Sequence, residues 1–356
     1  MFVPISGRSH FIMIDEESNP WSFGISQYGQ LGLGDRMPRA YSTVSMIDTL
    51  YAIVAVATGG RHSLFLDFDG NVWACGSNED YRSSLSPHII GTTLPERIYS
   101  IPTIASISAG NKHSLFLSTD GIVWACGNNE NGELGLPDNS FHEAKHLPNL
   151  PTIVKISAGF EHSLFLDSEG SVWVCGSHVG LNSTFHPSII PDIKPMQSIF
   201  AGYNNSMLID DKNMVWSVGD NTRGQLGIGF RCNESPPIIL SHPSFPPIQS
   251  ISMSASNSLF LDFEGHVWVC GSLGDLITHL SLSADLEEDK IAQVPVQILE
   301  LPSIQAIANG DMQMIFLDEE GKIWFCSSAT LTTLDRLPRM FSPFTKSQGV
   351  KSARKV

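Results

Sequence analysis

The sequence predicts an all-β chain closed into a seven-bladed β-propeller. Three observations carry this reading: one fifteen-residue sentence is written seven times, its copies lie about fifty residues apart, and each copy reads as two strands joined by a tight turn. The clearest copies are His62–Gly76 (HSLFLDFDGNVWACG), His113–Gly127 (HSLFLSTDGIVWACG) and His162–Gly176 (HSLFLDSEGSVWVCG), with weaker ones opening at His10, Asn205, Asn257 and Gln313. Each copy holds one of the seven Trp, namely Trp21, Trp73, Trp124, Trp173, Trp216, Trp268 and Trp324, at spacings of 52, 51, 49, 43, 52 and 56 residues. A period of this length marks a repeat architecture. Units that each bury one face against the next make one body, not seven domains.

The third unit shows the elements in order. Ile104–Ala109 alternates apolar and small residues as a strand does and stops at Gly110. His113–Leu117 is a second strand, Ser118–Gly121 a turn and Ile122–Cys126 a third strand. An acidic residue opens this turn in six units (Asp15, Asp67, Asp167, Asp210, Asp262, Asp318). Gly70, Gly121, Gly170, Gly265 and Gly321 close it, and Asn213 does so in the fifth unit. Gly and Asn accept the positive φ that such hairpin loops require. A G-x-L-G loop follows at Gly29–Gly32, Gly132–Gly135 and Gly224–Gly227 and is absent from the second, fourth, sixth and seventh units. Proline-marked segments, Pro95–Tyr99 and Pro295–Leu299, then read as fourth strands at an edge. Four strands in about fifty residues are the content of one propeller blade. Leu337–Ser342 (LPRMFS) resembles Met37–Ser42 (MPRAYS), so the C-terminal segment is expected to supply a strand that the first unit lacks and to close the ring. The expected layout is a single propeller over residues 1–345 and a short basic tail over 346–356.

The chain has 356 residues, 42% of them hydrophobic and 16% charged, as a folded chain requires. Its net charge is −15. The last eleven residues hold four of the 21 cations and no carboxylate, so the body sets 17 cations against 36 carboxylates, or −19. Such a surface repels phosphate backbones, and no direct nucleic-acid binding is expected of it. Neither a signal peptide nor a membrane span is expected. Five of the six cysteines (Cys75, Cys126, Cys175, Cys270, Cys326) sit two residues after a repeat Trp. They are one reused position, not a disulfide framework. Small buried thiols suit a reducing compartment, the cytosol or nucleus.

The pattern G-x-x-H-S-L-x-L-x-x-x-G-x-V-W/Y-x-x-G, followed by N-x-x-G-Q-L-G, resembles the regulator of chromosome condensation repeat over roughly residues 1 to 345. The chain departs from that repeat in using Trp where the family has Tyr, Cys where it has Trp, Ser254 for a strand-ending Gly and Ser327 for a blade-ending Gly. The resemblance implies a seven-bladed propeller closed by both termini. It also implies that a folded protein partner docks on loops of one face. The family's founding member exchanges nucleotide on a Ran-type small GTPase through a protruding wedge, for which no counterpart is found here, and it docks on nucleosomes. Other relatives of this type serve as substrate-binding propellers of ubiquitin ligases, or as an ultraviolet receptor built on clustered Trp.

The expected function is therefore a protein–protein interaction propeller. The alternatives are an exchange factor for a Ran-type GTPase and a chromatin or ubiquitin-ligase adaptor. His10, His62, His113 and His162 share one repeat position and read as blade-to-blade ties, because equivalent positions in separate blades do not converge on one ion. The repeat Trp and Cys read as core. Cys232 stands alone in a loop. No catalytic group, metal or cofactor is expected, nor a membrane partner, and the chain is expected to be a monomer. Loops carry function on rigid scaffolds. The candidate partner-binding residues are accordingly Asn78, Glu79, Asp80, Arg82 and His88 in one irregular loop, and Asp285, Glu287, Glu288 and Asp289 in the longest insertion.

Overall fold

The computed structural model describes residues 5–334 apart from 7–9, 41–42, 87, 139–141, 179–180, 182–183, 241–244, 284–285, 287–288, 311–312 and 328–330. Seven four-stranded antiparallel sheets stand around one axis, and in each the strands follow sequence order from the axis outward. Blade two is representative: Ile53–Thr58 is innermost, His62–Asp67 second, Val72–Ser77 third and Gly91–Arg97 outermost. The other blades occupy residues 5–46, 104–146, 153–189, 196–239, 248–298 and 304–334. The inner strands touch in cyclic order, and the first blade's inner strand touches both the second blade's and the seventh's.

The continuous buried runs of the second and third strands produce this ring because they make each blade apolar on both faces. One hydrophobic cluster fills each of the seven seams between neighbours. In the closing seam Phe11, Phe23 and Val44 of blade one pack on Ile315, Leu317 and Phe325 of blade seven, with Phe23 and Phe325 edge to face at 6.1 Å. Fully buried Phe65, Phe116, Phe165, Phe260 and Phe316 each sit in the second strand, directly opposite the repeat Trp of the third.

Three expectations change. The repeat Trp are not all core: only Trp216 and Trp268 are buried, and the other five lie half-buried against the seams. The first blade does not lack a strand, because Ile5–Ser6 pairs with Phe11 and Ile12; the segment 337–342 lies outside the described residues, as does the tail. The longest insertion, after the sixth blade's third strand and expected as a partner-binding loop, is also partly packed into the core. It forms a 3-10 turn over Gly274–His279 and buries Leu273, Leu276 and Leu280 in the core. Leu282 then bridges Ile298, which covers the blade's outer edge.

Strand order gives the ring two unlike faces. Turns from inner to second strand and loops from third to outermost strand emerge together on what is here the mouth face. The opposite, hairpin face carries the second-to-third turns and the links to the next blade.

Candidate functional site

The mouth face gathers every loop that the sequence singles out. At its centre the inner-strand turns form an axial depression of about 110 Å³, with Gly59, Gly110, Gly159, Gly202, Ser254 and Gly310 around it. No carboxylate, imidazole or amine lines it among the described residues. Small-molecule sites are larger, ~300 Å³ and upward. Backbone bonds link successive blades here: Gly60 N–H donates to Gly110 O (3.2 Å), Asn111 N–H to Gly159 O (3.3 Å) and Phe160 N–H to Gly202 O (3.1 Å). Phe160 stacks on Tyr203 at 3.8 Å, forming an aromatic shelf at the mouth.

Beneath this surface lies a repeated node that holds the loops of blades one, two, three and five to the next blade. The Ser63 hydroxyl donates to the Gln30 carbonyl at 2.7 Å and the Cys75 thiol approaches the same oxygen at 3.5 Å. Ser114 with Cys126, Ser163 with Cys175 and Ser258 with Cys270 do the same to Arg82, Glu133 and Gln225. A hydroxyl has one proton. With it spent on the carbonyl, His10 Nε2–H donates to Ser63 Oγ (2.8 Å), His62 to Ser114 (2.8 Å) and His113 to Ser163 (3.0 Å), while His162 meets Ser206 (2.9 Å). The Nδ1 atoms of all four rings are buried without a partner. Burial lowers their pKa values, to about 4 for His10 and about 3 for His113, so the rings are neutral. The preceding glycines are needed because a Cβ on Gly59, Gly110 or Gly159 would lie 2.3 Å from the following imidazole. Thiols in this node are held protonated: burial pushes the Cys126 thiol up to about 12.

The last three seams lack the imidazole tie, with Asn205, Asn257 and Gln313 in its place, and the seam between blades five and six differs further. Asn205 replaces the histidine and its Nδ2 is buried without a partner. Phe200 stands where the Ser157 hydroxyl of blade four accepts from Ala201 N–H of the next inner strand. The Ser258–Gln225 bond and Gly229 N–H to Gln293 O (2.8 Å) remain.

The loop at Asn78–Ile90 lacks the G-x-L-G residues but keeps their backbone. Asn78 accepts from Ser83 N–H and donates to Leu85 O and Ile89 O, as Asn129 accepts from Leu134 N–H and donates to Leu136 O. Tyr81 (φ 57°) and Ser84 (φ 47°) take the left-handed positions that Gly132 and Gly135 hold. Of the residues expected to meet a partner, Asn78 and Arg82 are therefore turned inward and buried. Arg82 pairs with Asp80, its Nε is unpartnered, and burial lowers its pKa. Glu79 and His88 are exposed. Glu79 pairs with Arg61 at 3.6 Å, and Arg61 lies over the Tyr28 ring at 4.5 Å. Asp289 reaches Arg231 of the neighbouring loop at 3.4 Å. Asp285, Glu287 and Glu288 lie outside the described residues. Cys232 is half-buried in the fifth blade's loop.

Sequence reasoning missed Glu133. It occupies the Gln position of G-Q-L-G, is buried, and accepts from Asn131 N–H at 2.9 Å. Burial, with the Glu161 and Glu130 carboxylates nearby, pushes its pKa up to about 7.

On the hairpin face the turn carboxylates have a shared task. In six blades Asp Oδ1 accepts two backbone N–H groups of the turn and Oδ2 accepts the repeat Trp indole N–H, as in Asp67–Trp73 (3.1 Å) and Asp318–Trp324 (2.8 Å). Burial alone would raise the Asp67 carboxyl, but these bonds and those from Asn71 outweigh it and hold it below its ordinary value.

A family model described as the RCC1-like domain matches residues 20–326. The probable E3 ubiquitin-protein ligase HERC6 of Homo sapiens is 30% identical over 135 residues, 36% of this chain and 13% of that protein. The guanine nucleotide exchange factor SRM1 of Saccharomyces cerevisiae is 27% identical over 149 residues, 37% of this chain and 31% of that protein. The chain thus matches less than a third of either relative's length. The crystal structure of Prp20p from Saccharomyces cerevisiae, described with its binding to Gsp1p and histones, superposes with a TM-score of 0.78 at 21% identity, covering 94% of this chain and 88% of that one. That likeness shows the fold.

Proposed function

The chain belongs to the RCC1-like domain family, and from that membership we propose that it is a protein-interaction propeller whose mouth face docks a folded protein. The observation that carries this is the pairing of a rigid base with a varied top. The loops of blades one, two, three and five are held from below by the next blade's Ser and Cys, and the exposed groups of the mouth face change from blade to blade: Glu79 and His88, Lys112, Arg231 with Asp289. Preorganised loops lose little freedom on binding. The small, uncharged axial depression favours a macromolecular surface over a metabolite. We assign Glu79, His88 and Asp289 to the contact surface, and Asn78 and Arg82 to positioning the loop. A cytosolic or nuclear site follows from the buried free thiols.

The likeness to SRM1, an exchange factor, favours a Ran-type small GTPase as the partner. The test is release of a fluorescent GDP analogue from a purified Ran-type GTPase with this protein substoichiometric. Faster release supports an exchange factor. Binding that leaves the release rate unchanged supports a scaffold for the GTPase. No binding across a GTPase panel rejects the GTPase, and mouth-face variants that leave affinity-captured partners unchanged reject the docking face itself.

A further inference from the structure

The hairpin face carries an exposed aromatic group at the tip of blade two that the mouth-face reading does not use. Tyr51, Phe68 and Tyr99 are 78%, 82% and 82% exposed. They belong to one backbone neighbourhood. Phe68 N–H donates to the carbonyl of Ala52, beside Tyr51, at 3.0 Å. Arg97 joins the other side of the same hairpin: its guanidinium donates to Asn71 and lies over the Tyr99 ring at 5.2 Å. Single exposed apolar residues need no explanation, but grouped large aromatics mark interaction surfaces.

The charge around them names the occupant. The surrounding hairpins and links, residues 15–19, 47–52, 67–71, 96–103 and 118–122, expose Glu16, Glu17, Asp48, Asp69, Glu96 and Asp120. Arg97 is the one cation in these segments, and it is already engaged. The acidic body of a second copy is repelled by such a surface, as are nucleic acid and anionic lipid. We propose that this tip is a second docking surface, opposite the mouth, for a Lys/Arg-rich peptide segment of a partner protein. Carboxylates pair with the ammonium and guanidinium heads. The aromatic faces take cations and the aliphatic stems that carry them. Because the two faces are opposite, a folded partner on the mouth and a basic segment on the tip bind together.

The test is fluorescence anisotropy of a fluorescein-labelled Lys/Arg-rich peptide carrying Leu and Phe between its charges, at ~0.15 M salt, where exposed charges more than about 8 Å apart are screened. Phe68→Ser with Tyr99→Ser is expected to weaken binding ~tenfold, as loss of aromatic anchors does. Asp69→Asn with Asp120→Asn is expected to weaken it several-fold and flatten its salt dependence, while Glu79→Gln with Asp289→Asn on the other face leaves it unchanged. All substituted side chains are exposed, and an unchanged melting temperature confirms folding of each variant. Absence of binding, equal binding by the aromatic variant, or equal weakening by the mouth-face variant each overturns the proposal.

Discussion

Six Asp side chains span their hairpins in the same way, and blade three puts Ser118 in that place. Ser118 Oγ accepts from Ile122 N–H at 3.0 Å and so reproduces the work of one carboxylate oxygen. The other oxygen has no counterpart, and among the described residues no acceptor meets the Trp124 indole, whose ring lies edge-on to His146 at 5.8 Å. Ser118→Asp is expected to raise stability by about 1 kcal/mol, the net worth of one such hydrogen bond, read as a higher urea midpoint with an unchanged slope. Glu133 offers a second test. Its pKa is higher folded (about 7) than unfolded (near 4.5), so its stabilising contribution is full below pH 4.5 and is lost as pH rises through 7. Glu133→Gln, which writes the G-Q-L-G of blades one and five, is expected to gain about 1–3 kcal/mol at pH 8 and nothing at pH 4, by urea titration at both pH values. Neither effect was legible beforehand. A Glu in a turn motif reads as exposed, and only the packed seam reveals that the position is buried.

At the scale of the blade, the sequence was clearest where burial repeats. Alternation placed the inner strand and the repeated apolar runs placed the second and third, with the third running Val123–Gly127 where Ile122–Cys126 was expected. Outer strands were harder: Gly91–Arg97 begins four residues before Pro95, since an edge strand needs no apolar pattern to be held. The loop at Asn78 was hidden for a related reason. Its path is set by the Asn78 side chain, so Tyr81 and Ser84 are carried into the left-handed region without glycine. Such residues store strain of ~1–2 kcal/mol each. Ser84→Gly is expected to be neutral or stabilising by less than about 1 kcal/mol, because relief is set against the Ser84 hydroxyl's bond from Ala144 N–H; a thermal melt decides. The exposed aromatics of blade two left no periodic trace, because Tyr51, Phe68 and Tyr99 are not a repeat position.

For the whole molecule, the histidine ties predict the acid limb of stability. Their rings are neutral in the ring of blades but take a proton near pH 6.5 once unfolded. The stability present above 6.5 is therefore lost as pH falls toward 4 and 3. His10 alone accounts for up to about 3 kcal/mol by pH 4, outweighing the opposite trend of Glu133 once His62, His113 and His162 are added. Urea midpoints from pH 7 to 4 should fall steeply, and His113→Gln should make that fall shallower. The count and closure of blades were legible because seven similar seams must be satisfied in series. How each seam is tied was not, because Asn205 and Phe200 are ordinary residues until their neighbours are known.

That series arrangement has a mechanical corollary. A hoop under thermal load parts at its softest joint: the seams between blades five and six and between seven and one both lack the imidazole tie and the inner-strand hydroxyl bridge, and the former also buries the unpartnered Asn205 Nδ2. Transient opening there leaves blades one to five as a histidine-tied arc while the amides of Ile248–Met253 meet water first, a sequence of events that hydrogen–deuterium exchange would record as early labelling of that strand.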